Sequence, residues 1–392
     1  MSFIYKMIEH IDSNNANEFE QAILEAFDKN GDLVLDASEL KYISSAGLRV
    51  LLKLIKKQTG KLEIFNVSNE VYDILDTTGF TEMMDVKKAF RNVSVEGCPI
   101  IGQGGNGTVY KLSPEQIVKV YREDIPFSKL SEEKDFAKKS FVAGVPTAIA
   151  FDIVKVGNCY GTVYELMDSN TLSNAFVSNP DKFDELVDKY VELVRNLGNT
   201  DVSSIGLDSV KDSVVKEITR LEKYLDPEDF KMIIDIANSI ADGKCFVHGD
   251  LHPGNIMLQS NGELMLIDMA DVKMGPHTYD LVSIYRDLLQ GPTDKNEAMR
   301  ERVAKSVGMP SELSIKIFNA FIKKYLGTDD EATIQKYVGM LGLVSCISSL
   351  VGFSHIGDEL ITQMMPMMKA QMIDAVIKPN YQTLKYILST MK

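Results

Sequence analysis

Cys245-Phe246-Val247-His248-Gly249-Asp250-Leu251-His252-Pro253-Gly254-Asn255-Ile256 sets an apolar run against a tight loop containing glycine and proline. An aspartate and an asparagine five positions apart in such a loop can divide one task. Asp250 would accept the proton of an attacking hydroxyl while Asn255 holds a metal ion. His248 reads best as a structural hydrogen-bonding histidine, and the role of His252 stays open. The two histidines are at i, i+4, yet Gly249, Pro253 and Gly254 break any continuous helix, and no glutamate follows His248 as a zinc HExxH motif requires. The chain has no GxSxG elbow of the Ser-His-Asp hydrolases either.

Downstream, Leu264-Met265-Leu266-Ile267-Asp268-Met269-Ala270 puts a carboxylate at the end of an apolar strand. Mg²⁺ prefers oxygen ligands and is commonly held by one or two carboxylates plus substrate phosphates, so Asn255 and Asp268 form a candidate metal pair. A strand-end carboxylate that merely caps a turn is the competing reading of Asp268.

Upstream, Gly102-Gln103-Gly104-Gly105-Asn106-Gly107-Thr108-Val109 fits GxGxxGxV, whose unobstructed backbone amides can fold over nucleotide phosphates. Glycines also make ordinary hairpin turns. A dinucleotide site would need a helix directly after them, whereas Thr108 to Lys111 and Ile117 to Tyr121 read as strands. Lys119 lies inside an apolar β run, where an ammonium needs an anionic partner unless the strand is a surface one. The following helix, Lys129 to Val142, carries Glu132, Glu133 and Asp135; the register favours Glu133 as that partner, with Glu132 as competitor.

The remaining sequence bounds the class. A length of 392 residues predicts two or three domains. With 45% apolar and 25% charged residues the chain is folded and globular rather than disordered. A formal charge of -14 lacks the basic excess that nucleic-acid or anionic-membrane binding requires. Cys98, Cys159, Cys245 and Cys346 are too sparse for a disulfide framework, which fits a reducing cytoplasm, and no export signal is visible at the N-terminus. Tyr337 to Gly357 has no formal charge, but its glycines, serines and histidine favour a buried helix over a membrane span.

Before residue 90 the pattern is different. Asp32 to Asp36 and Lys61 to Phe65 read as strands; Ala16 to Asp28, Ser45 to Lys57 and Asn69 to Leu75 read as helices, giving a small α/β domain. The predicted layout is 1–92 and 93–392, the second part dividing into a β-rich lobe at about 95–167 and a helical lobe at about 168–392.

HGDLHPGN at 248–255 is similar to the catalytic-loop signature of the aminoglycoside phosphotransferase family, kinase-like enzymes that phosphorylate small-molecule hydroxyls, and LIDMAD at 266–271 looks like its metal-binding strand end. The resemblance covers about 95–392 in order. It implies a two-lobed protein-kinase-like domain with ATP and Mg²⁺ in the cleft, Gly102, Gly104, Gly107 and Val109 over the phosphates, Lys119 anchored by Glu133, a hinge at about Tyr164-Glu165-Leu166-Met167, Asp250 as catalytic residue, Asn255 and Asp268 as metal ligands, and Asp280 as a structural carboxylate. Leu33 to Ser38 followed by Tyr42 to Leu52 resembles the STAS domain of anti-sigma-factor antagonists, in which the position matching Ser45 is phosphorylated. A phosphoryl group there would meet unpaired amides and the positive end of the helix dipole, although a serine at a helix start is most often merely an N-cap.

The fold class expected is therefore multidomain, α/β followed by α+β. The function expected is an ATP- and Mg-dependent phosphotransferase acting on a hydroxyl of an amino-sugar, sugar or amino alcohol, with the STAS domain regulatory and a possible protein-docking surface. Two alternatives stand beside it: a serine kinase acting on Ser45 of a STAS domain, and a non-catalytic nucleotide sensor that binds anti-sigma-type partners. Asp181, Asp184, Glu185 and Asp188 on one helix would attract a cationic acceptor or form a solvated face.

Overall fold

The computed structural model describes residues 3–104, 106–167 and 169–391, so Gly105 of the glycine loop and Asp168 lie outside the described residues. Contacts divide the chain into two units, Met1–Ser94 with Ile153–Cys159, and Val95–Asp152 with Tyr160–Lys392.

The first unit is built on a parallel sheet in the order Phe3–Lys6, Leu33–Asp36, Glu63–Val67, Asp85–Lys88. Leu33 and Leu35 alternate into the core, as does Ile64, and helix Ser45–Lys57 buries Leu48, Leu51 and Leu54 from one face. Close packing explains Gly47, because a Cβ there would sit 2.6 Å from Ile11. Arg91–Asn92 pairs in parallel with Val154 and Lys155, which accounts for the grouping of residues 153–159 with this unit.

In the second unit, strands Cys159–Glu165, Gln116–Tyr121, Gly107–Lys111 and Ile100–Gln103 are neighbours in that order and antiparallel. Helix Phe127–Val142 follows. The long C-terminal region is helical, with a continuous core that includes Tyr190, Phe246, Leu251, Phe318 and Phe321. Short paired strands interrupt it where the sequence predicts apolar runs: Cys245–Val247 with Lys273–Gly275, and Ile256–Gln259 with Leu264–Leu266. Helix Glu331–Phe353 is, among the described residues, the one long and apolar enough to cross a membrane. Its Leu341, Val344, Ile347 and Leu350 are fully buried within the helical core. Of the C-terminal methionines, Met365 is buried, Met364, Met368 and Met372 pack on the core, and Met367 is exposed.

Candidate active site

Lys119 sits mid-strand in Gln116–Tyr121, opposite Val109 on one side and Thr162 on the other. Its Nζ is 2.8 Å from Glu133 Oε1 and 3.0 Å from Asp268 Oδ1. Of the two glutamates weighed, Glu133 is buried and bonded, while Glu132 is exposed. Burial alone would lower the Lys119 pKa, but the charges of Asp268 and then Glu133 outweigh it and hold the ammonium above its ordinary value.

Asp268 reaches this lysine because its strand is tied to the end of the preceding helix. Leu266 N donates to Pro146 O, Ala148 N donates to Leu266 O, and helix Phe127–Val142 packs against the turn Met269–Asp271. Asp268 itself has φ +61° and ψ +68°, a left-handed conformation that costs about 1 kcal/mol for a residue with a Cβ. The turn-capping alternative does not hold, since its side chain makes no cap hydrogen bond and instead accepts from Lys119.

The loop 248–255 lies alongside. Ile267 N donates to Asn255 O at 3.0 Å, bringing the asparagine next to the strand end that carries Asp268. Asn255 Nδ2 donates to Asp250 O at 2.9 Å and to Asp250 Oδ2 at 3.0 Å, so the amide is oriented through its nitrogen and not its Oδ1. His248 is fully buried: its Nδ1 accepts from Asp250 N and its Nε2 donates to Ile267 O at 3.1 Å, a structural role. Asp280 receives the backbone N–H groups of His248 and Gly249 at 3.0 and 2.9 Å, and burial pushes its carboxyl up to about 6. Gly249 is required twice over, by φ +84° and because a Cβ would stand 2.8 Å from Asp271 O.

Asp250 is gripped on both oxygens, Oδ1 by Arg286 at 2.9 Å and Oδ2 by Asn255. His252 Nε2 is 3.6 Å from Oδ2. Burial works to raise the Asp250 pKa, but His252 and then Arg286 overcome it and hold the carboxylate below its ordinary range. His252 shifts upward in turn, since Asp250 outweighs the effect of burial.

The remaining candidate positions fare differently. Gly107 serves packing, because a Cβ would come within 2.1 Å of Val120 O; Gly104 faces open space and donates its N–H to Gly107 O at 2.9 Å. Gly102 and Val109 flank each other in paired strands. Glu165 is tied to Ile149 twice, its Oε1 accepting from Ile149 N at 2.9 Å and its own N–H donating to Ile149 O at 3.2 Å, and Met167 lies within reach of Gln259. At the other unit, Ser44 is the N-cap of helix Ser45–Lys57, accepting from Ala46 N at 3.2 Å. Ser45 is thus not the cap; it is exposed on the first turn. Asp184 and Asp188 are exposed and ion-paired to Lys324, a solvated face. Tyr121, whose hydroxyl reaches Glu133, and Arg286 escape a reading of motifs, and Tyr164, expected only as part of the hinge, also turns its hydroxyl to Glu133. Their signals are weak but real, a tyrosine two positions after the strand lysine and the charged pair Arg286-Asp287 inside an apolar helical run.

Asn255 and Asp268 both offer oxygen donors, the ligand type Mg²⁺ prefers, so these residues fit that ion. Among the described residues no group of three or more His, Cys, Asp or Glu comes together as a metal cluster.

These features define a kinase-like phosphotransferase. The description "Phosphotransferase enzyme family" matches residues 98–312, more than half of the chain, and "STAS domain" matches residues 2–94. The chain belongs to the phosphotransferase enzyme family and carries a STAS domain at its N-terminus; it is a kinase with an alcohol acceptor. The N-terminal part is 28% identical over 79 residues to the anti-sigma-B factor antagonist of Bacillus subtilis (strain 168), covering 19% of this chain and 72% of that protein. It is 34% identical over 80 residues to BtrV of Bordetella bronchiseptica, covering 19% and 69%. Among solved structures, the streptomycin–ATP–APH(2")-IIa ternary complex is similar at 15% identity, covering 78% of this chain and 97% of that one, with a TM-score of 0.44.

Proposed function

We propose that the enzyme moves the γ-phosphoryl group of ATP, with Mg²⁺, to a hydroxyl of a small cytoplasmic molecule, an amino-sugar, sugar or amino alcohol, and that the STAS domain regulates it. The carrying observation is the meeting of Lys119, Glu133 and Asp268, with Asn255 bonded beside the same strand end. Lys119 would orient the phosphates, and Asn255 Oδ1 and Asp268 would hold the metal. Mg²⁺, when bound, supplies neutralisation of the charge that builds on the phosphate oxygens. Asp250, kept anionic by His252 and Arg286, orients the acceptor hydroxyl and takes its proton as the new O–P bond forms and the bond to the β-phosphate bridging oxygen breaks. The glycine loop would cover the phosphates, the open space beside Gly104, where a Cβ would meet nothing within 4 Å, leaving room for them.

ATP turnover over a library of hydroxyl compounds, with a no-acceptor control, tests this. Wild type should phosphorylate one class and Asp250→Asn should lose at least two orders of magnitude; equal rates in the two proteins would remove the proposal.

A second reading has its own support. Because Ser44 takes the cap, the Ser45 hydroxyl is left exposed where helix amides favour a phosphoryl group. Transfer to Ser45 predicts one added phosphate by intact mass after incubation with Mg-ATP, absent in Ser45→Ala. The same addition in both proteins would exclude it.

A further inference from the structure

The carboxylate that pairs with Lys119 is bound by more than the lysine. Glu133 is only 4% exposed, and both of its oxygens are engaged. Oε1 receives Lys119 Nζ at 2.8 Å and the Tyr164 hydroxyl at 3.2 Å; Oε2 receives the Tyr121 hydroxyl at 2.8 Å. The register explains the convergence. Tyr121 lies two residues beyond Lys119 on the same strand and so on the same face, while Tyr164 lies opposite Ile117, also on that face, in the adjoining strand. Three donors from two neighbouring strands therefore close on one helical glutamate. Tyrosine is suited to the task, since its rigid ring delivers a neutral donor into a buried place without adding a charge.

We propose that Tyr121 and Tyr164 are positioning residues of the phosphate site, holding Glu133, and through it Lys119, in the nucleotide-binding arrangement before nucleotide arrives. This rests on the reading of ATP as phosphoryl donor. A lysine with one glutamate partner can leave it at the cost of one ion pair. Here withdrawing the helix would also break both hydroxyl bonds to Glu133 and leave a buried carboxylate without its three donors, and an unpaired buried charge of that kind is costly. The lysine-glutamate pair is thus built as a fixed feature of the small lobe.

Neither tyrosine is expected to touch the nucleotide, so the test must separate action through Glu133 from loss of fold. Equilibrium binding of a fluorescent ATP analogue with Mg²⁺ to the full chain needs no acceptor. Tyr121→Phe and Tyr164→Phe each keep the ring and remove the donor; each should weaken binding three- to tenfold, and the pair ten- to a hundredfold, with the melting temperature held within a few degrees. In a Glu133→Gln background the same substitutions should have at most a twofold effect, because their route to Lys119 is already changed. Full additivity in that background, or unchanged binding in the double Phe variant, overturns the proposal. If wild type itself binds no nucleotide, or binds it equally well as Lys119→Met, it is the ATP reading that fails. Should a Phe variant lose its fold, Glu133→Asp gives an independent check, since a carboxylate withdrawn by one methylene should weaken nucleotide binding at least tenfold.

Discussion

Asp250 has each oxygen bonded to a different partner, and one of those partners, Arg286, is shared with Asp287 through a two-point contact at 3.0 and 2.9 Å. The guanidinium therefore fixes where Asp250 points and helps keep it ionised. Arg286→Met should lower kcat about 10- to 100-fold, equivalent to the roughly 1.5–3 kcal/mol of a charge-assisted hydrogen bond, while leaving ATP affinity nearly unchanged. The acid limb of the pH–rate profile should also move to higher pH, because a carboxylate relieved of its cation protonates more readily. An unshifted limb would mean that Arg286 does not act on the base. Asp280 supplies a contrasting case. Its folded value of about 6 lies above the ordinary carboxylate value, so its contribution to stability is fully present below about pH 4 and is lost as pH rises through about 6. Melting temperatures of wild type and Asp280→Asn, compared across that window, should differ in slope, wild type falling more steeply with pH. Parallel curves would contradict the assignment.

Among the elements, the glycine hairpin separates two demands that its motif blends. A Cβ at Gly107 would meet the Val120 carbonyl oxygen at 2.1 Å, so Gly107→Ala should force the two strands apart and destabilise the protein by about 1–3 kcal/mol. Gly104→Ala meets nothing within 4 Å and should leave the melting temperature in place while weakening nucleotide binding. A thermal-shift assay with and without ATP reads both, and a destabilised Gly104→Ala would refute the distinction. The elements best read from sequence are those whose side chains repeat with a clear period: Leu48, Leu51, Leu52 and Ile55 on helix Ser45–Lys57, of which Leu48 and Leu51 are buried, or Leu264 to Leu266 before Asp268. The outer strands Phe3–Lys6 and Asp85–Lys88 are harder to see because only one face of each is covered and exposed or charged residues fill the other. The partnership of Glu133 with Lys119, rather than Glu132, was legible from helical register; the tyrosines on Glu133 were not, because their role depends on how two strands align.

At the scale of the molecule, two closed cores share one chain. Leu35, Ile43, Leu51, Ile64 and Leu75 belong to the first, and the helical core from Tyr190 to Leu388 to the second. Residues 1–94 expressed alone should therefore unfold cooperatively on heating, as followed by circular dichroism; a featureless melt would show that the small core needs the rest of the chain. Composition and motif spacing made both parts visible because each carries its own pattern. What the acceptor is was not legible, since no short motif encodes the shape of the surface beside Asp250. The central claim, that Lys119, Asn255 and Asp268 serve one triphosphate and one divalent ion, is tested most directly by measuring ATP affinity with and without Mg²⁺ in wild type and Asp268→Asn. The account predicts that Mg²⁺ tightens ATP binding to wild type at least tenfold and does so little or not at all in the variant. An equal Mg²⁺ effect in both proteins would contradict it.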